Sequence, residues 1–230
     1  MSKQMAESAK SSKKDVYVGY ERWSNTYDVQ ANPTRDLSSR VVRELVPELE
    51  GLIVVEAGCG TGLNSEWIAP RCKQLIGLDF SDGMLAIAKR KIKIKVPHVR
   101  FVKHDLQEKW PVDANSADLV LINLVLEHIE DIELVLRHAA FVMQKGAQLI
   151  ITEYHPNRVL RGSGARIEND EQLVEITNFW HPIEQYVESA AKIGLQINSI
   201  DQWPEGFFDK ESVNLDHARP LILSLCLEKM

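Results

Sequence analysis

The stretch Val54-Val55-Glu56-Ala57-Gly58-Cys59-Gly60-Thr61-Gly62 decides the fold, because it follows an apolar run and precedes a helical pattern. Glycine at alternate positions lets the chain turn sharply and brings bare backbone to a ligand near the first N–H groups of a helix. In a doubly wound sheet this place is the crevice at the carboxyl ends of the strands. The stretch therefore predicts a ligand-binding loop between a strand and a helix.

The spacing of the glycines separates this loop from two phosphate-binding loops. The nicotinamide dinucleotide fingerprint is G-x-G-x-x-G, whereas this loop reads G-x-G-x-G with Leu63 after the last glycine. A P-loop would continue with Gly-Lys-Ser/Thr, which is absent from the sequence here. Glu56, two residues before Gly58, would repel a pyrophosphate and favour a cationic ligand.

Apolar runs of strand length alternate with helical patterns from residue 52 to residue 153. We predict strands at 52–55, 74–79, 99–102, 118–123 and 147–152, and helices at 62–70, 81–91 and 129–143, the last stopped by Gly146. After them come a helix at 183–193, stopped by Gly194, and strands at 195–200 and 221–227. The alternation predicts a parallel sheet with right-handed crossovers and helices on both faces.

The length of 230 residues suits one domain with a full core. Residues 1–14 are rich in Ser, Lys and Ala and are predicted to form a flexible tail, which leaves 15–230 as the single domain. Within it, residues 15–50 are predicted to form an N-terminal helical cap. Residues 154–181 form a long connection that we interpret as a substrate-side insertion with a β-hairpin arm.

Composition narrows the possible partners and the compartment. The formal net charge of -6 disfavours nucleic acid as a partner, and the basic cluster at 89–95 is interpreted as the end of a helix rather than an RNA contact. Three cysteines without paired spacing predict neither disulfides nor a metal site. The sequence has neither a signal peptide nor an apolar run long enough for a membrane span, so we expect the cytosol. The oligomeric state stays open.

Two acids follow the second and third predicted strands. Asp79 ends the strand at 74–79, where an acid accepts hydrogen bonds from both ribose hydroxyls of an adenosine. Asp105, in His104-Asp105-Leu106, ends the next strand and is placed to accept a hydrogen bond from an adenine amino group. Both acids predict an adenosine ligand at the same sheet edge as the glycines.

Four motifs in order, EAGCGTG, GLDFSDGML, FVKHDL and ADLVLINLVLEHI, resemble those of the class I S-adenosylmethionine-dependent methyltransferases. The resemblance covers roughly residues 16–153. It implies an α/β, doubly wound fold with a mostly parallel seven-stranded sheet, an antiparallel last strand, helices on both faces and an N-terminal helical lid. It also implies S-adenosyl-L-methionine as cofactor and S-adenosyl-L-homocysteine as product.

The resemblance assigns cofactor contacts to the motifs of this sequence. Gly58, Gly60 and Gly62 lie against the cofactor, with Glu56 before them and Asp79 on the ribose. The remaining implied contacts are Asp105 and Leu106 at the adenine, Phe80 and Met84 on the ring faces, Asn123 along the methionine arm, and Tyr20, Trp23 and Tyr27 on the closing helix. Plain core packing stays open for Phe80 and Met84, and helix docking for the three N-terminal aromatic residues.

Methyl transfer is an in-line displacement for which the protein mainly supplies orientation. A hydroxyl or amine acceptor must also lose a proton, which favours a base near strands four and five. The candidates are His128, His155 and His181, each of which has a hydrogen-bonded structural histidine as its alternative.

The acceptor class is narrowed by what strand four lacks. It is followed by Asn123-Leu124-Val125-Leu126 instead of an N-P-P-Y tetrad, which disfavours methylation of an exocyclic amine or a glutamine amide. No cysteine stands there to act as the nucleophile for methylation of cytosine at carbon-5. The 154–181 connection, with Arg166, Phe179 and Trp180, favours a roofed pocket for a small molecule. We therefore predict O- or N-methylation of a small molecule. A peptide or protein methyltransferase, a non-catalytic cofactor-binding module, an aminopropyl transferase and a nicotinamide dehydrogenase remain alternatives.

Overall fold

The structure is a computed structural model that describes residues 15–92, 97–164, 166–169, 172–208 and 219–230. The predicted tail at 1–14 lies outside the described residues, as does the end of the basic cluster at 93–95. The side chain of Arg166 also lies outside them. None of the helices within the described part of the chain is both long and apolar enough to cross a membrane.

Helices and strands alternate along most of the chain. The strands are β1 (Ile53–Ala57), β2 (Gln74–Asp79), β3 (Val99–Lys103), β4 (Ala117–Asn123), β5 (Met143–Tyr154), β6 (Arg166–Asn169), β7 (Gln172–Glu175), β8 (Leu195–Pro204) and β9 (Pro220–Lys229). The helices are α1 (residues 15–23), α2 (Pro33–Leu45), α3 (Ser65–Ile68), α4 (Asp82–Lys91), α5 (Ile132–Val142), α6 (Pro156–Val159) and α7 (Ile183–Lys192), with a 3₁₀ turn at Leu126–His128.

Seven strands form one sheet in the order β3-β2-β1-β4-β5-β9-β8. The first five are parallel to one another, whereas β9 is antiparallel to both β5 and β8. The order reverses between β1 and β4, which is the switch point where doubly wound sheets bind ligands. The predicted α/β fold with its antiparallel last strand is therefore confirmed. The β6–β7 hairpin lies in the predicted insertion.

Both faces of the sheet are covered. On one face Val55 and Ile122 belong to a core that includes α5 and α7 residues such as Leu136 and Ala190. On the other face Val54 packs in a second core that includes side chains of α2 and α3. Because successive residues of a strand face opposite sides, the continuous apolar runs of β1 and β4 fill both cores.

Helices α2 and α4 each begin behind a side chain that caps the first turn. Asn32 accepts a hydrogen bond from the backbone of Arg35 at 2.9 Å and precedes Pro33 at the start of α2. Ser81 accepts one from the backbone of Met84 at 3.1 Å and starts α4. A side-chain oxygen at this position satisfies an N–H group that has no partner within the helix.

The helix predicted at 129–143 is shorter than its apolar pattern. It begins at Ile132 behind the Asp131 cap and ends at Val142, and Gly146 lies in β5 with φ of 78° instead of stopping the helix. Lys229 satisfies the carbonyl groups of the last turn, with Nζ 2.8 Å from the oxygens of Ala140 and Met143. The helix predicted at 62–70 is reduced to Ser65–Ile68, because the glycine loop extends further along the chain.

Candidate active site

A pocket that is partly open to solvent lies at the carboxyl ends of β1–β4, and its empty space, including the part open to solvent, is about 760 Å³. It is lined by α1 and the turn after it (Val16, Tyr20, Tyr27), the β1 and β2 ends (Gly58, Gly60, Asp79, Phe80, Met84), the β3 end (His104, Asp105, Leu106, Gln107) and the β4 end (Asn123, Leu124, Val125, His128, Ile129).

The glycine loop, residues 58–62, needs its three glycines for different reasons. All three have positive φ, at 76°, 52° and 76°. A Cβ on Gly58 would lie 2.2 Å from a methyl of Val125, and one on Gly62 would lie 3.0 Å from the Cβ of Ala88. A Cβ on Gly60 would meet nothing within 4 Å. Gly58 and Gly62 therefore allow close packing within the protein, while Gly60 leaves free space in the pocket wall.

Asp79 holds the glycine loop to the end of β2. One carboxylate oxygen accepts the Gly60 N–H at 2.8 Å, and the other accepts the Ser81 N–H at 2.9 Å. Burial raises the pKa of Asp79 to about 6, although both N–H donors oppose the rise. The side chain therefore lines the pocket as a carboxylate at neutral pH, fixed in direction by two backbone groups.

Glu56 lies beneath the glycine loop rather than in the pocket wall. It is 3% exposed and accepts a hydrogen bond from the Ser65 hydroxyl. Burial is the largest cause that raises the pKa of Glu56, to about 8, so its folded form is mostly protonated at neutral pH. Glu56 therefore does not supply the negative charge that the sequence predicts beside the ligand.

Glu56→Gln is expected to stabilise the protein at alkaline pH. Because the folded pKa lies above the unfolded value of 4.5, the wild type loses stability as pH rises from that value to about 8. Glutamine has no proton to lose and can still accept the Ser65 hydrogen bond. Urea unfolding should show the variant gaining at least about 1 kcal/mol over wild type between pH 5 and pH 8. Glu66→Gln, on the exposed side of α3, serves as control; an equal gain there would contradict the assignment.

Asn123 ends β4 with its amide oriented by two hydroxyl groups. The Ser38 hydroxyl lies 2.5 Å from Oδ1, and the Thr152 hydroxyl lies 2.6 Å from the same atom. Since both hydroxyls donate to Oδ1, the NH₂ group of Asn123 is the part that faces a ligand in the pocket.

The post-β4 loop, residues 124–129, is held by a buried carboxylate. Leu124 has φ of 55°, a conformation that costs energy for a branched side chain. Glu153 from β5 accepts the N–H groups of Val125, Leu126 and Glu127 at 3.1, 3.0 and 3.2 Å. Burial raises the pKa of Glu153 to about 7 against these three donors. The loop is therefore tied to β5 by one acidic side chain.

His128 lies at the end of this loop with both ring nitrogens bonded. Nδ1 is 2.9 Å from the carbonyl oxygen of Thr177, which can only accept, so Nδ1 carries the proton. Nε2 is then an acceptor, and the Tyr20 hydroxyl donates to it at 2.7 Å. Burial lowers the pKa of His128 to about 4, so the imidazole is neutral. A neutral imidazole hydrogen-bonded to a phenol hydroxyl at a pocket wall is suited to accept a proton.

The N-terminal segment contacts two of the ligand-facing loops. Glu21 of α1 accepts hydrogen bonds from the Ser81 hydroxyl at 2.6 Å and from the Gly83 N–H at 3.1 Å. Asp28, in the turn after α1, accepts the Thr61 hydroxyl at 2.7 Å. Residues 15–30, the N-terminal segment, are therefore fastened to the glycine loop and to the start of α4.

Most of the site residues predicted from sequence meet at this pocket. They are Tyr20, Tyr27, Gly58, Gly60, Asp79, Phe80, Met84, Asp105, Leu106, Asn123 and His128. Trp23 does not line it; its ring is 6% exposed and its Nε1 donates to Gln30 at 2.8 Å, as the helix-docking interpretation expects. Gly62, the last residue of the glycine loop, and Glu56, beneath that loop, do not line the pocket either.

Two of the three candidate histidines lie outside the pocket wall. His155 caps α6, and its Nε2 donates to the Gln202 side chain at 2.8 Å. His181 donates from Nε2 to the Ile129 carbonyl at 2.8 Å. Both are 5% exposed or less, and both make the hydrogen bonds that a structural histidine makes.

Six lining residues were not singled out from the sequence as ligand contacts. They are Val16, His104, Gln107, Leu124, Val125 and Ile129. Four of them adjoin a predicted residue in sequence and Val125 lies two residues from Asn123, so a wider window around each motif would have included these five. Val16 carries no such signal, because only the docking of α1 brings it to the pocket.

The sheet order, the glycine loop and the acid after β2 define the Rossmann-like methyltransferase fold. A known structure with this fold, a putative S-adenosylmethionine-dependent methyltransferase from Listeria monocytogenes, aligns with a TM-score of 0.70 and 18% identity over 85% of this chain and 99% of its own. Residues 55–151 match the family described as a methyltransferase domain. The chain therefore carries a methyltransferase domain, and its relatives include probable S-adenosylmethionine-dependent methyltransferases.

Curated relatives agree with this class. An uncharacterized methyltransferase of Emericella nidulans is 26% identical over 89% of this chain and 85% of its own length. A ubiquinone biosynthesis O-methyltransferase of Coxiella burnetii is 27% identical over 68% of this chain and 70% of its own. The chain spans only 31% to 48% of the length of several other relatives.

Proposed function

We propose that the chain transfers a methyl group from S-adenosylmethionine to an oxygen or nitrogen atom of a small molecule. The observation that supports this most is the pairing of an adenosine-type cradle with a neutral base at one pocket: Asp79 beside Gly60 on one side, and His128 with Tyr20 on the other.

The residues of the pocket fit the cofactor. The free space next to Gly60 accepts a ligand without any change in the loop, and the Asp79 carboxylate is oriented for ribose hydroxyls. We assign Asp105 and Leu106 to the adenine, and Phe80 and Met84 to its faces. Asn123 would hold the methionine arm through its NH₂ group. When bound, the cofactor supplies an activated methyl group on a positively charged sulfur.

The protein's own groups would orient the acceptor and remove its proton. Tyr20 and His128 lie in the pocket wall, and the neutral Nε2 of His128 can take a proton through the Tyr20 hydroxyl. The N-terminal segment supplies Val16, Tyr20 and Tyr27 to one wall of the pocket. Positioning of two reactants in this way contributes roughly 7–11 kcal/mol in favourable cases.

The lining favours a small, uncharged acceptor. Among the described residues that line the pocket there is neither lysine nor arginine, which anionic acceptors usually require. The relative from Coxiella burnetii is named for O-methylation in ubiquinone biosynthesis. A compact pocket roofed by α1 suits such a molecule better than a protein surface.

Two measurements test the proposal. S-adenosylhomocysteine at one hundred times its dissociation constant should stabilise the protein by about 2.7 kcal/mol in thermal unfolding, whereas NADH should not. Incubation with methyl-labelled cofactor and fractionated host metabolites should then yield a labelled small molecule. Labelling confined to protein would favour a protein acceptor instead, and binding without any labelled product would indicate a non-catalytic module.

Loss of the histidine base is expected to slow turnover without weakening cofactor binding. His128→Asn should lower kcat on the active metabolite fraction about 100-fold, and Tyr20→Phe should lower it about 10-fold or more. Calorimetry should find the dissociation constant of S-adenosylhomocysteine for His128→Asn within about threefold of wild type. His98→Asn, a half-buried histidine bonded to the Ala69 carbonyl, is the control. Full activity in His128→Asn would eliminate the assignment of this base.

A further inference from the structure

Glu127 is a buried acid with an unsatisfied oxygen directly behind the proposed base. The residue is 7% exposed, and Oε2 has no hydrogen-bond partner among the described residues. Oε1 lies 3.5 Å from Nε2 of His128. A buried carboxyl oxygen without a partner is costly, and a catalytic role is one of the reasons for which a protein retains it.

The surroundings of Glu127 are acidic and phenolic. Glu127 lies beside His128 and interacts electrostatically with four other side chains, from β5, the N-terminal segment and α7: Glu153, Tyr20, Tyr27 and Tyr186. None of these supplies a positive charge. Burial, followed by the charge of Glu153, raises the pKa of Glu127 well above its usual value. Glu153 is stabilised as an anion by three N–H groups, so a proton held by the two acids resides on Glu127.

A proton that reaches His128 cannot remain there. Burial disfavours the imidazolium, and Nδ1 already uses its own proton on Thr177. The proposed transfer requires Glu127 to be ionised, and in that form its carboxylate beside Nε2 is the stronger base of the two buried groups. The proton therefore moves downhill from Nε2 to Oε1.

We propose that Glu127 receives, through His128, the proton that the methyl acceptor loses. This inference rests on the proposed function and gives Glu127 a role through His128 rather than in contact with the acceptor.

The proton transfers balance without any further reactant. The acceptor atom uses its lone pair to form the bond to the methyl carbon, and the carbon–sulfur bond breaks with its electron pair on sulfur. The acceptor proton passes to the Tyr20 oxygen as the Tyr20 proton passes to Nε2 of His128. Nε2 then gives its proton to Oε1 of Glu127, while Nδ1 keeps its own. The completed reaction has therefore removed one positive charge from the sulfur and one negative charge from Glu127.

This charge balance can be tested by cofactor binding alone, without a methyl acceptor. A ligand with a positively charged sulfur favours the ionised form of Glu127, and a ligand with neutral sulfur does not. S-adenosylmethionine and S-adenosylhomocysteine differ at the sulfur by one methyl group and one charge. Binding of the first should therefore release more protons than binding of the second.

Calorimetry at pH 7.5 in buffers of different ionisation enthalpy measures these protons. For wild type we expect S-adenosylmethionine to release about 0.5 proton or more per chain beyond S-adenosylhomocysteine. Glu127→Gln should abolish the difference, and the exposed neighbour variant Glu130→Gln should retain it. An equal proton count for both ligands in wild type, or an unchanged difference in Glu127→Gln, would overturn the proposal.

A second readout separates a proton-transfer role from a structural one. On the active metabolite fraction, Glu127→Gln should lower kcat at least about tenfold and Glu127→Asp should recover part of it, with KM for the cofactor little changed. The rate of wild type should rise with pH as Glu127 ionises, and that dependence should vanish in Glu127→Gln. If wild type methylates nothing, the proposed function fails. The number of protons released on ligand binding still tests whether Glu127 changes its protonation with the charge on the sulfur.

Discussion

Replacing Asp79 with alanine is expected to weaken binding of S-adenosylhomocysteine about 100-fold or more. The variant loses the proposed acceptor of the ribose hydrogen bonds. It also frees the N–H groups of Gly60 and Ser81, which the carboxylate holds at 2.8 and 2.9 Å, so the glycine loop loses its anchor. Calorimetry and the ligand-induced shift in Tm measure the loss.

The control for this variant is Asp82→Ala, three residues along the chain. Asp82 pairs with Lys103 on the surface, and its side chain is 63% exposed, so its removal should leave binding within about threefold of wild type. Binding by wild type should also weaken as pH falls below about 6, because protonation removes the carboxylate. Affinity in Asp79→Ala equal to wild type would remove the basis for the adenosine site.

Gly60→Ala is expected to give the second large effect, a loss of ligand affinity of about 10- to 100-fold that the accompanying loss of stability does not explain. The new methyl group would meet no protein atom within 4 Å, so it would occupy the space assigned to the ligand. The positive φ of 52° adds a strain of roughly 1–2 kcal/mol to the folded state.

The chain offers a matched control for the strain. Gly51 has φ of 80°, and a Cβ there also meets nothing within 4 Å, but it lies on the surface before β1. Gly51→Ala and Gly60→Ala should therefore lower Tm to a similar extent, while only Gly60→Ala loses binding. Equal affinities in the two variants would show that the open space beside Gly60 is not where the ligand lies.

The fold was predictable because its signals are local. The glycine loop, the strand ends with Asp79 and Asp105, and the alternation of strands and helices each occupy a short window of sequence. Parallel strands bring their carboxyl ends to one edge, so local motifs at those ends meet in space without further information. The predicted strand at 74–79 coincides with β2, and the predicted helix at 81–91 differs from α4 only at its first residue.

The acceptor end of the pocket was less predictable because its contacts join distant segments. His128 is 108 residues from Tyr20 and 49 residues from Thr177, so the sequence could not distinguish it from His155 or His181 as a pocket residue. The bonds from Glu153 to the post-β4 loop span 26 to 28 residues and involve backbone N–H groups, which have no sequence signature.

The docking of α1 has a consequence for the timing of turnover. Val16, Tyr20 and Tyr27 form part of the same wall as Asp79 and Asn123, so a bound molecule is enclosed on that side by the protein's own N-terminal segment. Detachment of that segment requires the bonds of Glu21 and Asp28 to break together. The time for which S-adenosylhomocysteine stays bound therefore depends on the lifetime of these few contacts. When they break slowly, product release rather than methyl transfer limits the turnover rate.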